Sequence, residues 1–481
     1  MTHPATTRAA LKKAPTGIAG LDEITHGGLP AGRPTLVCGG PGSGKTLLGI
    51  SFLVNGATRF GEPGVLMSFE ENADELAADV ASLGYDLQSL VDQGLLVVDY
   101  VHVDRSEIEE TGEYDLEGLF VRLELAVTSI GARRVLLDTI ESLFGGLKNE
   151  TILRSELRRL FRWLRERNLT AIVTGERGER TLTRHGLEEY VTDAVIQLDN
   201  RVYDQIATRR LRVVKYRGSH HGTNEYPFLI DRDGLEVLPV TSLALEHEAP
   251  SDRLSSGLVS LDEMLGGQGF YRGSTVLISG TSGTGKTTLA AHFADAACRR
   301  GERCLYFLFE ESPKQMLRNM AAAGVDLQPW ITGGQLQFHA DRPTRHGLET
   351  HLVMMHRAVE QFQPDVVVID PVTNLLTIGS QIDVRAMLTR LIDYLKMRQT
   401  TVVLTSLTSS GGELQSTEAM ISSLMDTWVL VSLEEAERRR HRWIYVLKSR
   451  GMAHSDEMRE FWITGGGMDV SSPGVAESRG R

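Results

Sequence analysis

Thr35-Leu36-Val37-Cys38-Gly39-Gly40-Pro41-Gly42-Ser43-Gly44-Lys45-Thr46 is the stretch that decides the fold. A short apolar run feeds a glycine-rich loop of the pattern G-x-x-x-x-G-K-[ST]. Glycines let backbone N–H groups curl around phosphate oxygens, the lysine reaches the terminal phosphates, and the threonine hydroxyl suits Mg²⁺. The pattern returns as Gly280-Thr281-Ser282-Gly283-Thr284-Gly285-Lys286-Thr287, again after an apolar run. Two nucleotide sites are therefore expected in one chain.

The surroundings of the loops repeat as well. Thr16-Gly17-Ile18-Ala19-Gly20-Leu21-Asp22-Glu23 returns as Ser256-Gly257-Leu258-Val259-Ser260-Leu261-Asp262-Glu263, 240 residues on. The loop lysines, Lys45 and Lys286, stand 241 apart, and Phe69-Glu70-Glu71 returns at 240 as Phe309-Glu310-Glu311. Val135–Asp138 matches Val367–Asp370 at 232, and Lys215–Gly218 matches Lys448–Gly451 at 233. A period this long means a duplicated domain, with about eight residues lost from the second copy between the Glu pair and the Asp strand. We expect a tail over 1–14, a first domain over 15–245, a second over 246–466 and a short tail over 467–481. Pro250 and polar neighbours mark the joint.

Within the first copy, Thr35–Cys38, Val65–Phe69, Arg134–Leu137 and Ala171–Thr174 read as buried strands between helical stretches. That pattern predicts an α/β fold: two tandem P-loop domains, each a mostly parallel sheet with helices on both faces. Ala194–Leu198 and Leu211–Lys215 read as an antiparallel hairpin added to it. Ligands bind such sheets at the carboxyl ends of strands. The loop, Glu70 and Asp138 all fall at such ends.

Mg²⁺ on Thr46 calls for a nearby carboxylate, which Asp138 supplies; Thr287 and Asp370 repeat the pair. Glu70 and Glu71, and Glu310 and Glu311, are the candidate bases. The bland alternative is that one Glu of each pair caps the following helix. Lys215 and Arg217, and Lys448 and Arg450, sit two apart on a strand and so on one face. A solvated face is the bland reading, and recurrence in both copies favours function. Such charges could serve a neighbouring subunit's nucleotide as an arginine finger does.

Composition narrows the class. The 481 residues are 41% hydrophobic and 24% charged, ordinary for a soluble globular protein, and the net charge is −12. Acidity argues against a protein that coats nucleic acid. The three cysteines, Cys38, Cys298 and Cys304, form no C-x-x-C pair, which fits a reducing cytoplasm. No apolar run of about 18 residues suggests a membrane span, and the N-terminus lacks a secretory signal.

The combined motifs resemble the KaiC family, RecA-like double-domain ATPases of circadian timing systems and their bacterial homologues. The resemblance runs from about Pro15 to Thr464 and rests on T-G-I-x-G-L-D, both loops, both F-E-E runs, the strand Asp residues, RHGLEEYVTD (184–193), the K-x-R-G segments and Glu225–Phe228. It implies six subunits in a double ring with ATP between neighbours. It implies ATP contacts from Gly42, Ser43, Gly44, Lys45, Thr46 and Leu47, and from Gly283, Thr284, Gly285, Lys286, Thr287 and Thr288. It implies that Lys215, Tyr216, Arg217 and His221, and Lys448, Ser449, Arg450 and His454, meet a neighbour's ATP. Glu70 and Glu310 become the bases, with Glu310 also among the metal ligands.

The resemblance further implies a first domain that is mainly an ATPase and a second that is a serine/threonine autokinase and autophosphatase. Its phosphoacceptors fall on Ser422 and Ser423, with a regulatory hydroxyl at Thr417. A polar, helix-capping loop is the bland reading of Ser416–Ser423. Ile108–Leu119 resembles the docking region for KaiB, whereas the short tail after Gly467 puts a KaiA partnership in doubt. Two rivals stand beside this reading: a RecA- or DnaB-like DNA-dependent ATPase, and a scaffold that ATP merely assembles. Net acidity opposes the first and the intact Glu pairs oppose the second.

Overall fold

The computed structural model describes residues 11–101, 116–144, 150–178, 192–203, 206–232, 234–239, 250–408, 421–436 and 439–472. The chain divides into two compact units with the break close to residue 242. The first holds strands β1 (Pro34–Gly39), β2 (Gly64–Ser68), β3 (Leu96–Tyr100), β4 (Arg134–Asp138), β5 (Thr170–Glu176), β6 (Ala194–Tyr203), β7 (Ile206–Tyr216), β8 (Glu225–Asp231) and β9 (Gly234–Val237). They form one sheet in the order β9-β8-β7-β6-β1-β5-β4-β2-β3. The second unit holds β10 (Thr275–Gly280), β11 (Cys304–Leu308), β12 (Leu336–Ala340), β13 (Val366–Asp370), β14 (Thr401–Leu407), β15 (Thr427–Ala436), β16 (Arg439–Ser449), β17 (Arg459–Thr464) and β18 (Gly467–Val470). Its order, β18-β17-β16-β15-β10-β14-β13-β11-β12, is the same topology shifted by nine strands.

The parallel strands are apolar on both faces because both faces are covered. Val65 and Met67 of β2 enter one core cluster with Val135 and Leu137 of β4. Leu66 and Leu136, between them, enter the opposite cluster with Leu48 and Phe52 of helix α1 (Lys45–Phe60). This alternation is the period of a strand sandwiched between two helical layers. Helix α2 (Ala73–Ala81) is opened by a capping box between Asn72 and Glu75, and α3 (Pro313–Ala322) by one between Ser312 and Gln315. The Asp of each T-G-I-x-G-L-D copy has a local structural use. Asp22 accepts from the Thr16 and Gly17 amides, and Asp262 from the Ser256 amide, folding the entrance loop.

Both expected tails are shorter than read. Lys13–Ala14 pairs with Leu29–Pro30. Gly467–Val470 is a full strand, because Met468 and Val470 bury apolar side chains in the second core and the Met468 amide donates to His292 at 3.0 Å. The hairpin is also longer than expected, spanning β6 and β7.

Candidate active sites

Each loop leaves the carboxyl end of a central strand, β1 or β10, and enters a helix, α1 or α4 (Lys286–Arg299). Gly42 and Gly44 have φ of 67° and 96°, and Gly283 and Gly285 78° and 102°, a left-handed backbone that favours glycine. A Cβ on Gly44 would also meet Ile230, and one on Gly285 would meet Ile463. Lys45 Nζ donates to the Gly39 and Gly40 carbonyls at 3.0 and 3.1 Å; Lys286 Nζ does the same to Gly280 and Thr281 at 2.9 and 2.8 Å. Both lysines are thus held against backbone carbonyls of their own loops. Burial lowers the Lys286 ammonium to about 8, against the raising influence of the Asp370 and Glu310 carboxylates.

The strand carboxylates close the sites. Thr174 and Thr46 hydrogen-bond Asp138, and Thr405 and Tyr306 hydrogen-bond Asp370, the last at 2.9 Å. Burial raises the Asp138 carboxyl above its ordinary value; the two threonine hydroxyls pull it back, while the Glu70 charge pushes it up. The Phe69 amide donates to the Asp138 carbonyl at 2.9 Å and the Phe309 amide to that of Asp370 at 3.0 Å. Those bonds bring each Glu pair beside each strand Asp.

Neither Glu of a pair caps a helix; Asn72 and Ser312 do that. Glu70 accepts from the Ser142 hydroxyl at 2.6 Å. Glu311 accepts from the Asn319 amide at 3.2 Å, so it is held from behind by α3. Burial, then the charges of Asp79, Asp138, Glu70 and Glu75, raises the Glu71 carboxyl. Sequence reading missed a cleft of about 370 Å³ beside Glu310 and Glu311, walled by Asp341, Arg342 and Arg345. Nothing in the spacing of those arginines pointed to it.

No three His, Cys, Asp or Glu side chains among the described residues converge as a metal cage. A divalent ion here would need oxygens from phosphate and water, which suits a threonine hydroxyl bonded to a buried carboxylate.

The K-x-R segments differ from expectation in one respect. β7 ends at Tyr216 and β16 at Ser449, so Arg217 and Arg450 stand in the following turns rather than on the strands. Gly218 and Gly451, at φ of 80° and 74°, make those turns, and the Arg217 and Arg450 amides donate to the Asp193 and Asp426 carbonyls at 2.8 Å. Tyr216 points inward: it is buried, and its hydroxyl donates to the Gly28 carbonyl at 2.8 Å. Its side chain is core, leaving only its backbone for a ligand. His221 stacks on that ring, Ser449 pairs with Thr427, and His454 is exposed.

These segments lie at the wrong end of the sheet for their own loops. β15 starts beside the start of β10, with Thr427 opposite Val276. Asp426 is bound there through both its carboxylate, which accepts from the Thr275 amide at 2.9 Å, and its amide, which donates to the Thr275 carbonyl at 3.0 Å. The loop begins at the other end of β10, about 17 Å away at the rise of a parallel strand. Ser422 and Ser423 precede Asp426 and share its end. Lys448 Nζ donates to the Ser422 and Met425 carbonyls at 3.0 and 2.8 Å, and Arg450 to the Ser423 carbonyl at 2.9 Å. Cations and hydroxyls form one cluster, remote from the phosphate loop of the same chain. Thr417, most of 184–193 and 108–115 lie outside the described residues.

A family model described as "ATPase: KaiC" matches residues 14–242 and 254–475. The chain belongs to the KaiC family. It is 54% identical over 472 residues to a protein of Synechocystis sp. named Circadian clock protein KaiC2, covering 98% of this chain and 83% of that one. It is 37% identical to Circadian clock protein KaiC3 of the same organism, covering 96% and 92% of the two chains. It is also 37% identical to Circadian clock oscillator protein KaiC of Synechococcus elongatus, covering 96% and 89%. The two units are accordingly tandem RecA-like ATPase domains that bind ATP. No helix among the described residues is long and apolar enough to cross a membrane.

Proposed function

We propose that this KaiC-family ATPase works as a homohexamer in which each subunit's second unit phosphorylates, and later dephosphorylates, serines of its neighbour. The separation of Ser422–Ser423 from the phosphate loop by the length of β10 carries this reading. A hydroxyl at the far end of the sheet cannot reach its own chain's γ-phosphate, but it can meet that of an adjoining copy. In the transfer, serine Oγ bonds to the γ-phosphorus, the bond to the β–γ bridging oxygen breaks, and ADP departs. The serine proton passes to the Glu310 carboxylate, with Glu311 supporting it. Hydrolysis in the first unit uses Glu70 in the same way on water, with Glu71 beside it.

Thr46 with Asp138, and Thr287 with Glu310 and Asp370, are the groups that would hold Mg²⁺, which neutralises charge on the β- and γ-phosphates. The loop amides and lysines orient the triphosphate. Lys215, Arg217 and His221, and Lys448, Arg450 and His454, serve the nucleotide of the next subunit. Thr417 is a third regulatory hydroxyl, and a KaiB-like protein is the partner proposed for the first unit. The names of the relatives favour a timing or signalling role.

Incubation with γ-labelled ATP and phosphopeptide mapping test the kinase reading: label is expected on Ser422 or Ser423. Equal labelling of a Ser422→Ala/Ser423→Ala protein would sink it. Mixing Arg217→Ala with Glu70→Gln subunits tests action between chains: each pairing of an intact Arg217 with an intact Glu70 should recover hydrolysis. Failure to recover at every ratio would place Arg217 within its own site or outside catalysis.

A further inference from the structure

Ser422 and Ser423 are adjacent but not equivalent. Ser422 is 8% exposed, whereas Ser423 faces solvent. Ser423 Oγ accepts from Arg385 Nη2 at 3.4 Å, and its carbonyl accepts from Arg450. Arg385 comes from a different element, the first turns of helix α5 (Gln381–Met397), opened by Ser380. Two guanidinium groups from different elements therefore converge on one exposed hydroxyl-bearing residue.

Among the described residues, the cations that touch this turn outnumber its carboxylates. Arg385, Lys396, Lys448 and Arg450 all contact the turn from Ser422 to Asp426, and the only carboxylate that the turn supplies is Asp426. Lys396 already engages it at 2.8 Å. Burial lowers the Lys448 ammonium, and the Arg450 and Lys396 charges lower it further. The remaining donors rest on neutral carbonyl and hydroxyl oxygens. A dianionic phosphate with three acceptor oxygens would answer this excess, and planar guanidinium forks match it in two-bond geometry.

We infer that phosphate on Ser423 is retained within its own chain by a clamp of Arg385 and Arg450, making Arg385 a phosphoserine-binding residue. Phosphate would extend from Oγ into the Arg385 fork, while Arg450 would shift from the Ser423 carbonyl to a phosphate oxygen. The clamp favours the dianion, resists transfer of the group back to ADP, and ties the modification state to α5. Ser422, by contrast, is buried and meets Lys448 through its carbonyl.

The inference rests on the proposed modification of Ser423, so its test must not depend on the chain's own kinase activity. Phosphoserine can be installed at 423 during translation, and the full-length protein titrated by ³¹P NMR. The second phosphate pKa should lie at least about one pH unit below that of the same protein in urea. Arg385→Ala should recover at least half of the difference, and Arg385→Lys less, since charge survives but the fork does not. Equal values in folded and unfolded protein, or no change in either variant, would overturn the clamp. Absence of ATP-dependent labelling at Ser423 in the unmodified protein would instead overturn the kinase reading.

Discussion

The two units share a topology strand for strand, yet they solve the same packing problem differently. In the first, Arg134 of β4 is fully buried. It donates to Glu62 at 2.7 Å and to the Phe52 and Pro15 carbonyls at 2.8 and 2.9 Å, and stacks on the Phe52 ring. Gly56 makes room for it; a Cβ there would lie 2.4 Å from Arg134 Cδ. The second unit has Val366 and Ala297 at the matching places, 232 and 241 residues on. A buried, fully hydrogen-bonded cation and a purely apolar filling support one fold. The functional ends diverge likewise. By the 233-residue register, Glu189 stands where the second copy has Ser422, and Tyr190 where it has Ser423. The first copy has a fixed charge and an aromatic where the second has aliphatic hydroxyls. The duplication has kept the scaffold and changed the residues at this end.

The largest effects should separate the units by activity. Glu70→Gln is expected to cut total ATP hydrolysis by about 100-fold or more at the first site while Ser422/Ser423 labelling persists. Glu310→Gln should do the reverse, abolishing label and sparing most hydrolysis. Paired steady-state and labelling assays decide it; loss of both activities in either variant would erase the division.

Next comes stability. Arg134→Val should lower the first unit's unfolding free energy by about 3 kcal/mol, because it leaves a cavity and unpaired carbonyls. Adding Gly56→Ala imports the second copy's solution and should regain part of that loss. Calorimetry that found the double variant worse than the single would show the two fillings are not interchangeable.

A third difference is readable in pH. Lys286 sits at about 8 in the folded chain, below its ordinary 10.5. Its depressed value means that the unfolded chain binds more protons between about pH 8 and 10.5, so this group adds stability as pH rises through that window. Phosphate should restore the ammonium, so ATP binding at the second unit should take up a proton at pH 8.5. Calorimetry of a Lys45→Ala protein in buffers of different ionisation enthalpy measures this uptake. Buffer-independent heats would contradict it.

The smallest effect concerns the bases. Ser142 steadies Glu70, whereas the matching residue of the second unit is Asn374. Ser142→Ala should slow hydrolysis about fivefold, the worth of one net hydrogen bond, with KM little changed. No loss in kcat would remove Ser142 from the positioning of Glu70.

Much of this architecture was legible beforehand. The strand-loop-helix signal of both loops, the parallel strands and the placement of Asp138 and Asp370 follow from apolar runs ending in polar residues. What stayed hidden depends on tertiary neighbours. Tyr216 reads as a ligand contact, but its side chain is buried with its hydroxyl on the Gly28 carbonyl, which leaves only its backbone for that role. Arg217 and Arg450 slipped off their strands because the next glycine begins the turn. Met468 and Val470 extended the sheet past the expected end, as a four-residue apolar alternation is too short to announce itself. Arg342 and Arg345 enter a cleft only because β12 ends beside the Glu pair, and Arg385 meets Ser423 only through the packing of a distant helix.

The length of β10 has a kinetic meaning. Because one strand holds the serine turn and the phosphate loop at its two ends, the proposed phosphorylation would leave an isolated chain with one half of its own reaction. On that proposal, the rate of labelling is expected to fall faster than protein concentration on dilution below assembly, and a minority of inactive copies to poison their partners. Six residues of backbone would then turn a chemical step into a headcount.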